Sequence, residues 1–356
     1  MAETSGPIRV GLIGYGFAGK TFHAPLIGAV AGLSLVTVCS SDSAKVRADL
    51  PDVEVVADAV ALATSSGIDL VVIASPNDSH VLLARAALSA QKHVVVDKPF
   101  TLSLADAREL SALAERQHRL LSVFHNRRWD SDFLSIRQAI TQGLIGTVAH
   151  FESHFDRFRP QVRRRWREGS GPGSGIWFDL GPHLVDQAIQ LFGVPNRVLA
   201  SLALQREGAL SDDWAHVVLE YGARRVVLHA GMLVADGVPR FVVHGNEGSL
   251  IKRRSDPQEA QLLAGMKPHA EGWGIDPDDM VLYEGNGGER LIPASAGDQS
   301  QYYAGIHAAL RGTGPNPVLP LQAIAVVAVI EAATLSAQSG KAMEPDLTHE
   351  ERAALR

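Results

Sequence analysis

Short runs of Val, Ile and Leu alternate with stretches of helical periodicity through the first third of the chain. The predicted strands are residues 8–13, 35–38, 53–56, 70–74, 93–96 and 120–124. These runs are continuously apolar rather than alternating, which is typical of strands buried on both faces of a sheet. Between them, residues 103–118 repeat Leu or Ala at the spacing of one helical face. The repeat of strand and helix predicts an α/β domain with a doubly wound parallel sheet.

The pattern changes after about residue 124. A helix is predicted near residues 130–142, alternating polar and apolar segments follow, and residues 245–248 have the composition of a hairpin turn. The predicted strands are residues 147–156, 197–205, 214–221, 225–232 and 240–244, and the closing helices are residues 302–311 and 321–338. We therefore predict a first domain over residues 1–124. An α+β domain with a large, mostly antiparallel, open-faced sheet is predicted over residues 125–356.

The net charge limits the kinds of partner. The chain has 33 Lys and Arg against 39 Asp and Glu, a net charge of −6 over 356 residues. It lacks the overall positive field that gathers phosphate groups, so we expect neither nucleic acid nor a membrane surface as a partner. Cys39 is the only cysteine, which excludes an internal disulfide and a cysteine-based zinc site.

The apolar segments do not have the pattern of a secretory leader or a membrane span. Residues 1–7 carry neither a basic segment nor an apolar core. The apolar stretches at residues 26–38 and 323–330 are shorter than the roughly 20 residues that a bilayer requires. Residues 321–335 are predicted to form a core helix. We expect a cytoplasmic protein.

Three glycines follow the first predicted strand directly. Gly14, Gly16 and Gly19 form the pattern G-x-G-x-x-G. In a dinucleotide-binding domain the first glycine makes a tight turn, the second lets a pyrophosphate approach the backbone, and the third lets helix and strand pack closely. The helix that follows would offer free N–H groups and positive potential to the pyrophosphate. The motif predicts a Rossmann domain that binds NAD or NADP.

The same residues also fit a second phosphate-binding pattern. Residues 14–21 spell G-x-x-x-x-G-K-T, the loop of nucleoside triphosphatases, and Asp97 after an apolar strand could bind magnesium. Pro25 follows Lys20 closely, however, where the helix of such a loop should continue unbroken. A P-loop triphosphatase is therefore a remote alternative.

Asp97, Lys98 and Pro99 end the fifth predicted strand. Ligands of open α/β sheets bind at the carboxyl ends of strands. Pro99 restricts Lys98 to an extended conformation and so fixes where its side chain emerges. A solvated surface lysine is the alternative interpretation.

Residues 179–186 form a second candidate cluster. Gly181 and Pro182 suit the start of a helix, and Asp179, His183 and Asp186 could project from one side of it. A histidine titrates near neutral pH, so these groups could handle protons. The alternative is an N-capping Asp with a surface His. The sequence shows no third ligand at a familiar spacing, so no metal is expected.

Four motifs have the order and spacing found in the glucose–fructose oxidoreductase/inositol dehydrogenase family, which this chain resembles over nearly its whole length. They are the three glycines, the segment Ser75-Pro76-Asn77-Asp78-Ser79-His80, the segment Asp97-Lys98-Pro99 and the segment Asp179-Leu180-Gly181-Pro182-His183. Residues 245–250 resemble the hairpin motif of the family. Residues 11–27 and 124–130 look closest to its NADP-dependent scyllo-inositol dehydrogenase-like branch. Asp97 departs from the more usual Glu but keeps the carboxylate.

The resemblance implies a role for each matching residue. Lys98 would lower the pKa of the reacting hydroxyl, His183 would be the general acid/base, and Asp179 would hold and orient the substrate. The expected cofactor-binding residues are Gly14, Gly16, Phe17, Ala18, Gly19, Ser40, Ser41, Lys45, Ser75, Pro76, Asn77, His80, Asp97 and Lys98. The expected substrate-binding residues are Lys98, His125, Arg127, Trp166, Arg167, Asp179 and His183.

Residues 157–167 contain six arginines interleaved with aromatic residues. Such a patch could grip nucleic acid, but the segment is short and the chain is acidic. In the family, a segment ending in Trp-Arg covers the substrate pocket, so a mobile lid or a solvated loop is the better interpretation.

The end of the second predicted strand bears on cofactor choice. An NAD-preferring domain places a carboxylate there, about 20 residues beyond the glycines, and that carboxylate would repel a 2′-phosphate. Here the position falls on Cys39 or Ser40, with Ser41 and Lys45 close behind. We therefore predict a preference for NADP over NAD. Asp42 is the objection, because a small shift of the strand end would place it on the ribose.

The predicted function is NAD(P)-dependent hydride transfer at a secondary alcohol, or the matching ketone, of a cyclic polyol or sugar. Two other classes are alternatives: a non-catalytic dinucleotide-binding sensor and a relative that cleaves glycosides through transient oxidation by NAD. The family also implies a homodimer or homotetramer that associates through the open face of the second-domain sheet.

Overall fold

The computed structural model describes residues 6–355. The prediction that residues 1–7 are not a secretory leader falls mostly on residues 1–5, outside the described residues. The strands are β1 Ile8–Ile13, β2 Leu33–Cys39, β3 Glu54–Val56, β4 Leu70–Ile73, β5 His93–Val96, β6 Leu121–Val123, β7 Val148–Asp156, β8 Arg197–Ala203, β9 Trp214–Tyr221, β10 Arg224–Gly231, β11 Phe241–Gly245, β12 Gly248–Lys252, β13 Met280–Glu284 and β14 Glu289–Ile292.

Helices connect and cover these strands. They are α1 Ala24–Gly28, α2 Ser43–Asp49, α3 Ala59–Thr64, α4 His80–Ser89, α5 Leu104–Arg116, α6 Ser131–Thr141, α7 Ile176–Phe192, α8 Gln258–Leu263, α9 Ser300–Leu310, α10 Pro320–Ser339 and α11 His349–Ala354. Side-chain caps fix several starts, since Asp42, Asp58 and Ser103 accept hydrogen bonds from the first-turn amides of α2, α3 and α5.

The first sheet is parallel and has the order β3-β2-β1-β4-β5-β6. The order reverses beside β1, and such a switch point is where open α/β sheets bind ligands. Strands β4, β5 and β6 are almost entirely buried on both faces, as their continuous apolar runs predict, while β3 at one edge of the sheet is partly exposed. The predicted doubly wound parallel sheet is confirmed.

Two later segments of the chain belong to the first unit. Residues 258–273 and 298–323 group with the described residues up to 126, whereas the predicted division into 1–124 and 125–356 stays a prediction. Helix α9 gives the reason, because Tyr302 and Tyr303 are fully buried and the Tyr303 hydroxyl lies 2.6 Å from His23 Nδ1. Burial of these rings depends on chain folding that no contiguous pattern reveals.

The second sheet has the order β14-β13-β12-β11-β7-β10-β9-β8. Its pairs are antiparallel apart from β7 with β10. Helix α7 packs on one face, against β7, β9 and β10. Strands β11 and β12 pair across the 245–248 turn as predicted. The mostly antiparallel second sheet is confirmed, while β13 and β14 were not predicted.

Helix α7 starts earlier than its sequence suggests. Gly181 and Pro182 were expected at the helix start, but the helix begins at Ile176 and Pro182 lies inside it. Asp212 explains the difference, because its carboxylate accepts the Trp177 amide at 2.7 Å. Pro182 therefore gives up one intrahelical hydrogen bond within an established helix.

Helix α10 is the one helix of the described residues that is long and apolar enough to cross a membrane. It spans 20 residues, more than the short apolar runs suggested, because Gln322 and Glu331 interrupt those runs without ending the helix. Of its most apolar window, 61% is buried within the protein. Core helices of soluble proteins also have this length and apolar composition.

Candidate functional site

The glycine loop joins β1 to the turn that precedes α1, and each glycine is needed for a different reason. Gly14 has φ 99°, and a Cβ there would lie 2.6 Å from the Ala74 carbonyl oxygen. A Cβ on Gly19 would overlap the carbonyl oxygen of Gly14. A Cβ on Gly16 would meet no atom within 4 Å. The loop therefore keeps open space at Gly16, which is what close approach of a pyrophosphate requires.

The residues around the loop do not form a triphosphatase site. Lys20 Nζ lies 2.7 Å from Asp49 Oδ2 on α2. The loop helix starts with a π-helical turn, Gly19–His23, and Pro25 follows at the start of α1. The lysine that would bind phosphates in a P-loop is thus engaged in an ion pair.

The loop after β2 contains the residues that are predicted to discriminate between NADP and NAD. Ser40 follows the strand directly, and its Oγ accepts the Asp42 amide at 3.1 Å. Asp42 Oδ1 accepts the Lys45 amide at 3.0 Å and so caps α2. Lys45 Nζ donates to the carbonyl of Tyr15 at 2.9 Å, which places its charge beside the glycine loop.

The loop after β4 is tied to the loop after β5. The Ser75 and Ser79 hydroxyls are 2.6 Å apart. The His80 ring nitrogens lie 2.9 Å from the Pro99 carbonyl and 3.1 Å from the Ser75 carbonyl. Burial lowers the pKa of His80, so its ring is neutral near pH 7. His80 and Asn77 are buried and Pro76 is exposed, and contact of this loop with a cofactor remains a prediction.

Asp97 lies at the end of β5 and supports Lys98. The Asp97 carboxylate accepts the Lys98 amide at 2.8 Å and lies 3.8 Å from His23 Nε2. Burial opposes ionisation of Asp97, but His23, Lys98 and His80 outweigh it and hold the pKa of the carboxyl at about 2. The carboxylate therefore stays charged at neutral pH and fixes the backbone that carries Lys98.

Helix α7 carries Asp179 and His183 one turn apart. His183 is 5% exposed and packs edge-on to Phe155, with ring centroids 6.5 Å apart. Asp179 forms an ion pair with Arg167 at 3.4 Å. Asp186 lies further along the helix and pairs with Arg128 at 2.7 Å. The predicted cluster is thus divided, because Asp186 has a buried partner of its own.

Two of the predicted substrate-binding residues follow β6. His125 is buried. The Arg127 guanidinium pairs with Asp130 at 3.0 Å and lies 5.0 Å from the centre of the Phe155 ring. His183 packs on the same Phe155 ring, so both residues contact one aromatic side chain of the second unit. A role for either His125 or Arg127 in binding substrate remains a prediction.

The arginine-rich segment ends in a short 3₁₀ turn, Trp166–Glu168. The Arg167 guanidinium stacks on the Trp166 ring at 4.4 Å. Glu168 is buried and accepts the Arg163 amide, the Arg165 guanidinium and the Arg206 guanidinium. Burial opposes its ionisation, but these donors lower the pKa of Glu168 below its ordinary value. A buried hydrogen-bonded anchor therefore holds this end of the segment.

Sequence reasoning missed Arg206, Asp212 and Asp213. They lie in the connection between β8 and β9, and the Trp177 partner of Asp212 and the Arg159 partner of Arg206 are distant in the sequence. Acidic residues before a strand are common in turns, so nothing in the local pattern distinguishes these. Among residues 6–355, no group of three or more His, Cys, Asp and Glu side chains is arranged to hold a metal ion.

A glycine loop at the switch point of a parallel sheet, with a lysine after another strand at the same sheet edge, is typical of a nucleotide-dependent oxidoreductase. Two family models agree with this class. Residues 8–125 match the NAD-binding Rossmann fold of an oxidoreductase family, and residues 137–344 match its C-terminal alpha/beta domain. The chain belongs to the Gfo/Idh/MocA oxidoreductase family, and it is an NAD(P)-dependent dehydrogenase.

Known relatives cover nearly the whole chain. The uncharacterized oxidoreductase YdgJ of Escherichia coli is 54% identical over 93% of this chain and 96% of its own. The scyllo-inositol 2-dehydrogenase (NADP(+)) IolW of Bacillus subtilis is 36% identical over 93% and 94%. A crystal structure of an oxidoreductase from Klebsiella pneumoniae superposes with a TM-score of 0.93 at 57% identity and covers 98% of both chains.

Proposed function

We propose that this dehydrogenase acts on a secondary alcohol, or the matching ketone, of a cyclic polyol or sugar. The observation that carries the proposal is the pair of proton-handling elements. Lys98 emerges at a strand end fixed by ionised Asp97, and His183 follows Asp179 by one turn on α7. An alcohol oxidation releases a proton as well as a hydride, so it needs such groups.

Each residue has a distinct role in the proposed reaction. NAD(P), when bound, takes or supplies the hydride. Lys98 would hydrogen-bond the reacting oxygen and stabilise negative charge on it, and His183 would accept its proton. Asp179 would accept a hydrogen bond from a second substrate hydroxyl and fix the orientation of the ring. Burial of His183 keeps water from competing for its proton.

The name of one relative supports this substrate class. IolW is named for scyllo-inositol and NADP(+), and it covers almost the whole of this chain. At 36% identity the loops that recognise hydroxyl stereochemistry can differ. We therefore propose the class and not the individual polyol.

The proposal is tested by a spectrophotometric screen. The purified protein is mixed with NADP or NAD and a panel of inositols and common aldoses, and in the reverse direction with NADPH and inososes. We expect turnover with at least one cyclic substrate. Turnover of none of them, with dinucleotide binding intact, would favour a sensor. If NAD stays bound through purification and the protein cleaves a glycoside, these two results together would favour the glycoside-cleaving alternative.

We propose that the enzyme prefers NADP. Asp42 was the objection to this preference, and its carboxylate caps α2 through the Lys45 amide. Ser40 stands directly after β2, where an NAD-preferring domain places a carboxylate. Ser40 and Ser41 can donate hydrogen bonds to a 2′-phosphate, and Lys45 adds positive charge beside the loop.

Ser40→Asp tests the cofactor proposal. The new carboxylate should repel the 2′-phosphate and accept hydrogen bonds from the ribose of NAD. We expect kcat/KM for NADP to fall by about tenfold or more relative to NAD, on the scale of one close charge pair. Ser43→Asp, a few residues further along the chain, is the matched control. A clear NAD preference of the unmodified enzyme, with a silent Ser40→Asp variant, would contradict the proposal.

We propose that the protein is a cytoplasmic homodimer or homotetramer that uses the open face of the second sheet. Helix α7 covers the opposite face. Light scattering coupled to size-exclusion chromatography measures the mass directly. A mass of one chain, 38.1 kDa, at micromolar concentration would contradict the proposed assembly.

A further inference from the structure

The connection between β8 and β9 contacts two elements of the second unit that carry predicted substrate residues. One is the arginine-rich segment with Trp166 and Arg167, and the other is helix α7 with Asp179 and His183. Residues 205–213 touch each of them through buried polar groups. Neither the family motifs nor the predicted roles include this connection.

Arg206 anchors the arginine-rich segment. Its side chain is 3% exposed and donates to the carbonyls of Arg159 and Gln161 at 3.1 and 3.3 Å. It also donates to Glu168 at 3.0 Å. One planar guanidinium therefore binds the segment near its middle and at its end, a geometry that a lysine ammonium cannot reproduce.

Asp213 holds the guanidinium in place. Its carboxylate accepts the Gln205 amide at 2.7 Å, the Arg206 amide at 3.1 Å and the Arg206 Nε at 2.8 Å. Asp213 is buried, and so is the Glu168 carboxylate on the other side of Arg206. The arginine is thus held between two carboxylates and has little rotational freedom.

Asp212 anchors the start of α7. Its side chain accepts the Trp177 amide at 2.7 Å, and its carbonyl accepts the Ile176 amide at 2.7 Å. Gly175 has φ 99°, and a Cβ there would collide with the Asp212 carboxylate. Because Asp212 and Asp213 are adjacent, one short stretch of backbone holds both the arginine-rich segment and the start of helix α7.

The two anchored elements also meet each other. The Gly175 amide donates to the Arg167 carbonyl at 2.9 Å, and Arg167 pairs with Asp179 at 3.4 Å. Movement of the segment would therefore shift the cation beside Asp179. The network that runs from Asp213 through Arg206 and Glu168 to Arg167 we call the clamp.

We propose that Arg206 and its two carboxylate partners are positioning residues for substrate binding. They act by holding Arg167 and Trp166 at a fixed place beside Asp179, and the proposal rests on the proposed function of Asp179. The clamp sets substrate affinity, while the reacting groups Lys98 and His183 are untouched by its loss. The arginine-rich segment is then an ordered wall rather than a freely mobile lid.

Arg206→Met and Glu168→Gln test the clamp with two independent changes. We expect KM for an accepted substrate to rise about tenfold, since small displacements of positioning groups have effects of this order or larger. We expect kcat to change less than about threefold and NADPH affinity to stay the same. The KM of Arg206→Lys should lie between that of Arg206→Met and that of the unmodified enzyme, because lysine restores the charge but not the forked hydrogen bonds.

Limited trypsin digestion gives a readout that needs no substrate. Arg163 and Arg164 are exposed on the segment, and cleavage after them requires local unfolding. Both clamp variants should be cut there faster than the unmodified protein. Arg197→Met removes an exposed ion pair with Glu220 on the same sheet and should change neither cleavage nor KM.

The outcomes separate the clamp from the proposed function. An unchanged KM, or unchanged cleavage in both variants, overturns the clamp. If Arg206→Met does not fold, Glu168→Gln decides, because it keeps the size of the buried side chain while it removes the charge and one of the two acceptor oxygens. If the unmodified enzyme turns over no polyol or sugar, the proposed function fails by itself. Digestion alone then decides whether the clamp holds the segment.

Discussion

The two candidate sites of this enzyme are built in different ways. The nucleotide-binding loops of the first unit are made by backbone geometry, with three glycines that shape one turn and short polar residues at successive strand ends. The elements of the second unit that carry the proposed substrate residues are held by buried charges. Arg128 with Asp186, Arg240 with Asp132, and Arg206 with Glu168 are each ion pairs between largely inaccessible side chains.

The difference follows from what each site must recognise. A pyrophosphate is bound by main-chain N–H groups, so a short contiguous motif is sufficient. A polyol is recognised through several hydroxyls, which requires side chains from separate parts of the chain at fixed positions. Buried ion pairs hold such side chains well, because a charge without its partner is costly in the interior.

The largest expected effect breaks one of these ion pairs. Arg128→Met leaves the Asp186 carboxylate buried without its partner, and we expect a loss of about 3–5 kcal/mol of unfolding free energy. Arg9→Met removes a solvent-exposed pair with Asp69 in the first unit and should cost much less stability, because water screens exposed charges. Urea denaturation of both variants measures the difference. Equal losses would show that the second unit does not depend on buried charge.

Lys98→Ala removes the amine that we place on the reacting oxygen. Turnover should fall at least ~100-fold, the scale of a positioned acid–base group. NADPH affinity should be largely kept, because the glycine loop is unchanged. Steady-state kinetics and fluorescence titration of NADPH measure the two quantities. Full activity of the variant would remove Lys98 from the proposed mechanism.

Two glycine substitutions distinguish ligand space from packing space. Gly16→Ala adds a methyl group at a place where no other protein atom lies within 4 Å, so the melting temperature should stay the same. NADPH affinity should fall by about tenfold, since that space would belong to the pyrophosphate. Gly19→Ala overlaps the Gly14 carbonyl and should also cost about 1–3 kcal/mol of stability. If Gly16→Ala binds NADPH normally, the assigned pyrophosphate position is wrong.

The smallest effect concerns Asp212 and pH. Burial raises the pKa of Asp212 to about 6 from its ordinary 3.8. The folded protein therefore binds an extra proton between these values, and the charged carboxylate destabilises it as pH rises through this range. Asp212→Asn keeps the acceptor oxygen without the charge. Its melting temperature relative to the unmodified protein should rise by about 2–4 °C between pH 4 and pH 7.

The measured quantity is the difference in melting temperature between Asp212→Asn and the unmodified protein at each pH. The titration of all other groups cancels in this difference. A temperature difference that does not vary with pH would show that Asp212 titrates as an ordinary carboxyl. A lower melting temperature of the variant at pH 7, where Asp212 is ionised, but not at pH 4 would show that the cap needs its charge.

The parallel sheet and the glycine loop could be predicted from the sequence alone. Apolar runs mark buried strands, and the residues after each strand reach the same sheet edge whatever the rest of the chain does. Lys98, Asp179 and His183 could also be selected from the sequence by their places at a strand end and on a helix, while their roles came from the resemblance to a family. Helix boundaries were less certain, as the early start of α7 at Ile176 shows.

Only the tertiary structure decided which charges are partners. Asp186 has helical spacing that places it with Asp179 and His183, yet it pairs with Arg128, 58 residues away. Residues 298–323 return to the first unit because two tyrosines are buried there. Arg206 has no local signal, since its carboxylate and carbonyl partners come from segments up to 47 residues distant. Periodicity reports which face of an element is buried, but the choice of a partner for a buried charge depends on which segments folding brings together.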